Sequence, residues 1–119
     1  LWVSGDPDLL EQALMNLVTN SMTAAGAGAR IRITATAEAG VAQIAVTDNG
    51  PGFAQADLPR VFDRFYRAPG PRSGAGGSSG LGLAITRRLV ELHGGTIRAA
   101  NSPGGGGDVT IELPSIEPE

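Results

Sequence analysis

Residues 30–48 read RIRITATAEAGVAQIAVTD. In the first half Ile31, Ile33 and Ala35 alternate with Arg30, Arg32, Thr34 and Thr36, the period of two that marks a half-buried strand. In the second half Ala42, Ile44 and Val46 alternate with Gln43, Ala45 and Thr47, and only a short turn around Glu38 to Gly40 separates the two runs. An antiparallel hairpin is therefore expected. Upstream, residues 6–25 change to a helical period: Asp6 is a good N-cap, Pro7 fits the first helical position, and Leu9, Leu10, Ala13, Leu14, Leu17 and Val18 fall on one side until Gly26 ends the run. Downstream of the hairpin comes the turn-rich DNGPG of residues 48–52 and then a short helix within 55–66, centred on Leu58 to Phe65 and burying Val61, Phe62 and Phe65. A second long helix over about 80–93 is expected to bury Leu81, Ile85, Leu89 and Leu92 and to expose Arg87, Arg88 and Glu91, with strands at 96–100 and 108–113 completing the chain. Helices and strands in separate runs predict an α+β two-layer sandwich, helices on one face of a mixed, mainly antiparallel sheet. The sheet face of Arg30, Arg32 and Thr34 is left uncommitted.

Composition narrows the function. The chain has 119 residues, 41% hydrophobic and 18% charged, which suits one domain with one core. A formal charge of -3 supplies no field to draw it onto nucleic acid, so a nucleic-acid partner is not expected. There is no cysteine for a disulfide or thiolate metal site, and no apolar run of about eighteen residues to span a bilayer. The chain starts at Leu1 without a leader, so it reads as a piece of a longer protein. Glycine is the anomaly, at 18 residues without a collagen-like period. Four of them fall in APGPRSGAGGSS, residues 68–79, which has no large apolar side chain to offset its ordering entropy and is expected to be flexible. A second cluster, SPGGGG at 102–107, reads either as a strand connection or as coding bias.

Neither GxxxxGK[ST] nor GxGxxG occurs, which excludes a P-loop or dinucleotide fingerprint. Four other features occur in order. Asn16 and Asn20 stand one helical turn apart, with Gln12 a further turn back. Neutral carboxamide oxygens suit a Mg²⁺ ion whose other ligands are water and phosphates, although two asparagines taken alone read more readily as a solvated helix face. Asp48, Gly50 and Gly52 follow a strand; the carboxylate can accept from an exocyclic amine, and the glycines permit close approach to a flat base. VFDRFYR, 61–67, concentrates aromatic residues and places Arg64 and Arg67 just before the flexible segment, within reach of a phosphate. Gly80-Leu81-Gly82-Leu83 opens the second long helix, where free backbone N–H groups favour an anion.

Together NLVTNS, DNGPGF, VFDRFYR, GLGLAI and VELHGG resemble the N, first G, F and second G boxes and the HGG end of the catalytic ATP-binding domain of sensor histidine kinases, over essentially the whole chain. The resemblance implies the Bergerat sandwich fold, ATP and Mg²⁺ as cofactors, metal binding by Asn20 and Asn16, and adenine recognition by Asp48. It further implies nucleotide contacts from Gly50, Gly52, Arg64, Phe65, Arg67, Gly80, Leu81, Gly82 and Leu83, a catalytic set of Asn16, Asn20 and Arg67, and a mobile lid over 68–79. Where ATP-hydrolysing relatives carry a glutamate four residues before the magnesium asparagine, this chain has Asn16, an amide that cannot take a proton from water. The implied reaction is phosphoryl transfer to a histidine on a separate N-terminal dimerisation domain, then relay to a response-regulator aspartate. Transfer is not expected without that domain. The implied parent is a homodimeric, membrane-anchored bacterial sensor with this domain in the cytoplasm. His93, the only histidine, is expected to cap its helix rather than accept phosphate.

Three positions depart from the family pattern. Thr23 and Ala24 stand where a lysine and an aromatic are common, and the last strand begins Gly107-Asp108 rather than glycine-threonine, bringing a second carboxylate towards Asp48. Two rival readings follow: a degenerate nucleotide-binding or interaction module without transfer, and an anti-sigma-factor type serine kinase.

Overall fold

The computed structural model describes residues 2–63 and 82–116. Its elements are β1 (Trp2–Val3), α1 (Pro7–Ala25), β2 (Ile31–Glu38), β3 (Val41–Asp48), a 3-10 helix (Gln55–Arg60), α2 (Gly82–Leu92), β4 (Thr96–Asn101) and β5 (Gly107–Ile116). The expected flexible segment, together with Arg64, Phe65, Arg67, Gly80 and Leu81, lies outside the described residues.

The first helix forms where its end signals place it. The Asp6 carboxylate accepts from the N–H groups of Asp8 and Leu9 at 2.9 and 3.3 Å, Pro7 occupies the first turn, and the chain leaves through Gly26 at φ 69°. β5 is the spine of the five-stranded sheet: it pairs with β3 on one side and with β4 and the two-residue β1 on the other, and β2 closes the β3 edge. Every pairing among the described residues is antiparallel. Register sends Val109, Ile111 and Leu113 of β5 and Val46 of β3 to the helical side, where they meet Leu17 of α1 and Val90 of α2 in one buried cluster, and Ala42 of β3 is buried on the same side.

Three expectations are corrected by packing. β2 is not half-buried: beyond Ile31 the strand is exposed throughout, and Ile33 keeps 55% of its surface. Its inward side is the one expected from alternation, but α1 packs chiefly over the interior of the sheet and covers little of this edge beyond Ile31. The buried side of α2 is carried by Thr86, Leu89 and Val90, while Ile85 and Leu92 stay 39% and 58% exposed. Thr86 can be buried because its hydroxyl donates to the Gly82 carbonyl at 2.8 Å, so no polar atom is stranded. The segment after residue 54 is a 3-10 helix ending at Arg60; Pro59 inside it has no N–H to offer an α-helical ladder. Val61 is buried and Phe62 half-buried, as expected.

His93 fastens the ends of the two helices. Its Nδ1 lies 2.7 Å from the Leu89 carbonyl, which caps the last turn of α2, and the Asp6 N–H donates to Nε2 at 3.1 Å. With Nε2 accepting, the ring proton resides on Nδ1.

The β2–β3 turn carries avoidable strain. Ala39 sits at φ 52° beside Gly40 at φ 79°, the left-handed pair required by a type I′ hairpin turn. A left-handed alanine costs about 1–2 kcal/mol, and asparagine tolerates the region better. Ala39→Asn is expected to stabilise the domain by about 0.5–1 kcal/mol. The urea midpoint should rise with an unchanged slope; a lower midpoint would contradict a left-handed residue at the turn.

Candidate functional site

Asp48 ends β3 with only 8% of its surface exposed. Its Oδ1 accepts from the Gly50 N–H at 2.9 Å and from the Gly107 N–H at 3.0 Å, so two backbone donors from distant segments fix the carboxylate. The chain after it, residues 49–53, is anchored on both flanks. Asn49 accepts from the Arg30 N–H at 2.9 Å and donates to the Gly28 carbonyl at 3.2 Å, tying the loop to the connection between α1 and β2. Phe53 is buried in the core, and its N–H and carbonyl are both bonded by the Asn101 side chain.

The last turn of α1 abuts this loop. A Cβ on Gly50 would lie 3.1 Å from the Ala25 Cα and 3.2 Å from the Ala24 carbonyl oxygen. Asn16 and Asn20 are half-buried beside the stripe of Ala13, Leu17, Ser21 and Ala24, whereas Gln12 is exposed. The four asparagines of this region divide sharply. Both amide groups of Asn49 and Asn101 are committed to backbone partners, while the carboxamides of Asn16 and Asn20 have no hydrogen bond among the described residues. Uncommitted, half-buried carbonyl oxygens one turn apart are a donor set that fits a hard cation retaining water and phosphate ligands. Among the described residues no group of three or more His, Cys, Asp or Glu side chains offers an alternative metal site.

Of the other expected site residues, Gly82 and Leu83 form the first turn of α2; Leu83 leans on the core, and nothing lies within 4 Å of a Cβ built on Gly82. The second carboxylate proves harmless to Asp48. Asp108 is paired with Thr47 on the opposite sheet face and accepts from the Thr110 hydroxyl at 2.9 Å. That face, otherwise uncovered among the described residues, carries a shallow depression of about 260 Å³ bordered by Thr34, Gln43, Arg98 and Asp108, with an Arg98–Glu112 ion pair across β4 and β5.

Sequence reasoning missed Gly106, Gly107 and Asn101. A Cβ on Gly106 would stand 1.8 Å from the Asp48 carbonyl oxygen, and this residue has φ 90°. SPGGGG is therefore the far wall of the Asp48 site, and coding bias does not account for Gly106, or for Gly105 at φ 94°. The strongest clue in the sequence was position, since the cluster immediately precedes the last expected strand, which the structure pairs with β3.

Residues 5–117 match the family described as histidine kinase-, DNA gyrase B-, and HSP90-like ATPase. The chain belongs to this family. Within it, this histidine kinase-like ATPase domain is similar to sensor histidine kinase component HK1 of Mycobacterium tuberculosis, at 48% identity over 118 residues, covering 99% of this chain and 68% of that protein. It is 43% identical over 112 residues to the signal transduction histidine-protein kinase BaeS of Escherichia coli, covering 94% of this chain. Among solved structures it is similar to the mycobacterial sensor histidine kinase MprB, with a TM-score of 0.85 and 31% identity over 95% of this chain and 76% of that one. Full-length ShkA in complex with AMPPNP gives a TM-score of 0.82 and 31% identity over 98% of this chain and 23% of that one. The chain spans 24% of BaeS and 28% of SenX3 from Mycobacterium bovis, a further relative at 44% identity. Among the described residues no helix is long and apolar enough to cross a membrane.

Two glycines of the same cluster separate structural demand from composition. Gly106→Ala must clear the Asp48 carbonyl and hold a left-handed backbone, and is expected to destabilise the domain by about 2 kcal/mol or more. Gly104 has open space around it and no positive φ, so Gly104→Ala should stay within about 0.5 kcal/mol of the parent. Equal shifts in denaturant unfolding would return the cluster to mere composition.

Proposed function

We propose that the chain binds Mg-ATP and presents its terminal phosphoryl group to a histidine on a separate N-terminal dimerisation domain, from which it passes to a response-regulator aspartate. The observation that carries this reading is the fixed, buried carboxylate of Asp48 beside a glycine loop, with two asparagines on the adjoining helix whose amides are uncommitted among the described residues. The similar ShkA structure is a complex with AMPPNP, which supports the nucleotide class.

In this reading Asp48 accepts from the adenine amino group, its orientation already set by Gly50 and Gly107, so little ordering entropy remains to be lost on binding. Gly50 and Gly52 leave the base room to lie against the backbone. Asn16 and Asn20 hold Mg²⁺ through their carbonyl oxygens and thereby position the phosphates. Bound there, the ion would neutralise charge on the phosphate oxygens. The start of α2 at Gly82 offers backbone N–H groups to the same phosphates, and Arg64, Phe65, Arg67, Gly80 and Leu81 complete the nucleotide contacts. Residues 68–79 act as the lid. Position 16 supplies no carboxylate to draw a proton from water, so the site favours transfer over hydrolysis, and the chain alone binds nucleotide without turning it over. The whole protein is proposed to be a homodimeric sensor.

Titration of the 119-residue chain with a fluorescent ATP analogue tests this. Affinity should increase on adding Mg²⁺. Asp48→Asn should raise Kd about 10- to 100-fold, the loss of a charge-assisted hydrogen bond worth ~1.5–3 kcal/mol. Asn20→Ala should abolish the Mg²⁺ dependence. Absence of binding by the unaltered chain at millimolar analogue would sink the nucleotide reading and leave an interaction module.

A further inference from the structure

We infer that Asn101 is a positioning residue for the base-binding loop, holding its returning end at Phe53 while its cross-strand partner Gly107 holds the other end at Asp48. Asn101 is the last residue of β4, and its register partner on β5 is Gly107. The Asn101 carboxamide accepts from the Phe53 N–H at 2.6 Å and donates to the Phe53 carbonyl at 2.8 Å. Only one orientation of the amide satisfies both bonds, so the side chain acts as a short extra strand laid along the backbone after Gly52. Its partner Gly107 donates to Asp48 Oδ1 at 3.0 Å. The loop thus leaves the sheet at Asp48 and returns at Phe53, and each end is bonded to one member of the pair Asn101–Gly107.

The same contact gives Gly52 a second reason to lack a side chain. A Cβ there would lie 2.6 Å from Asn101 Oδ1, and the residue sits at φ 78°. The shape that admits a flat base and the shape that lets the amide reach Phe53 are one constraint. Removing the amide takes two backbone bonds from the returning end of the loop, whose Phe53 side chain stays in the core, while Asp48 keeps its own bonds to Gly50 and Gly107. The expected loss therefore falls on the fit of the base rather than on metal or phosphate binding, which belong to α1 and the start of α2.

This inference rests on the proposed nucleotide site, and the experiment separates the two. In the 119-residue chain, Asn101→Ala removes both bonds and Asn101→Asp keeps the acceptor but opposes a carboxylate to the Phe53 carbonyl. Hydrogen exchange at the Phe53 amide is read without nucleotide, alongside the unfolding midpoint; then affinities for ATP and GTP analogues are measured with and without Mg²⁺. Both variants should fold, with Phe53 exchange accelerated at least about tenfold, ATP analogue affinity lowered about tenfold, and the preference for ATP over GTP reduced, a ~1.4 kcal/mol effect. The relative gain in affinity from Mg²⁺ should remain. Unchanged exchange at Phe53, or unchanged affinity and base preference, overturns the role of Asn101. Unfolding of both variants also overturns it, since the residue would then be structural only. Failure of the unaltered chain to bind either nucleotide, with Phe53 exchange still accelerated in the variants, rejects the nucleotide site and with it the functional part of this inference.

Discussion

One carboxylate oxygen at the end of β3 joins residues 59 positions apart. Asp48 Oδ1 draws in the amide of Gly107 and, with it, the first residue of the strand that serves as spine to the whole sheet. The bond can form only because Gly106 presents bare backbone to the Asp48 carbonyl, so close that no other residue fits. A buried carboxylate without such donors would carry a desolvation penalty that a domain of this size can ill absorb. The donors are backbone groups, one in the loop after β3 and one at the start of β5, so the carboxylate is oriented by the chain itself. Preorganisation of the site and closure of the sheet therefore come from the same contact.

Much of this architecture was legible from local signals. The first helix carries its own punctuation, with Asp6 and Pro7 at one end and Gly26 at the other, and the hairpin from Ile31 to Asp48 follows from alternation around a two-residue left-handed turn. Failures arose where burial depends on what lies opposite. Alternation tells which side of β2 faces inward, but coverage of that side depends on where α1 comes to rest, and the helix lies more over β3 than over this edge. On α2, apolar periodicity favoured Ile85 over Thr86 because it treats a hydroxyl as a polar group in need of water; the Gly82 carbonyl meets that need within the helix. β1 was not expected at all, since two residues leave no period to detect and its existence depends on Ile116 and Ser115 extending beyond β4.

The candidate site shows the same division. Asn16, Asn20 and Asp48 stood out as candidates by residue type and spacing, because the chemistry of a ligand restricts which side chains can serve. Asn101, Gly106 and Gly107 were not, because their contribution is to backbone placement. An asparagine that grips a neighbouring main chain looks, in sequence, like any loop asparagine; only geometry distinguishes Asn49 and Asn101, fully bonded, from Asn16 and Asn20, whose amides are uncommitted among the described residues.

The turn between β4 and β5 spans residues 102–106 and is closed by Ser102 and Gly105, the former donating to the Gly106 carbonyl at 3.0 Å and the latter to the Ser102 carbonyl at 2.9 Å. Side chains at Ser102, Pro103 and Gly104 play no part in holding Asp48, so their identities are open to drift. Their number is not. One inserted residue taken up as a register slip would exchange the faces of β5, turning Asp108 towards the helices and Val109 towards the open side, and would carry Gly107 away from Asp48. Across descendants of this chain, selection on the turn should act on loop length more strongly than on loop spelling.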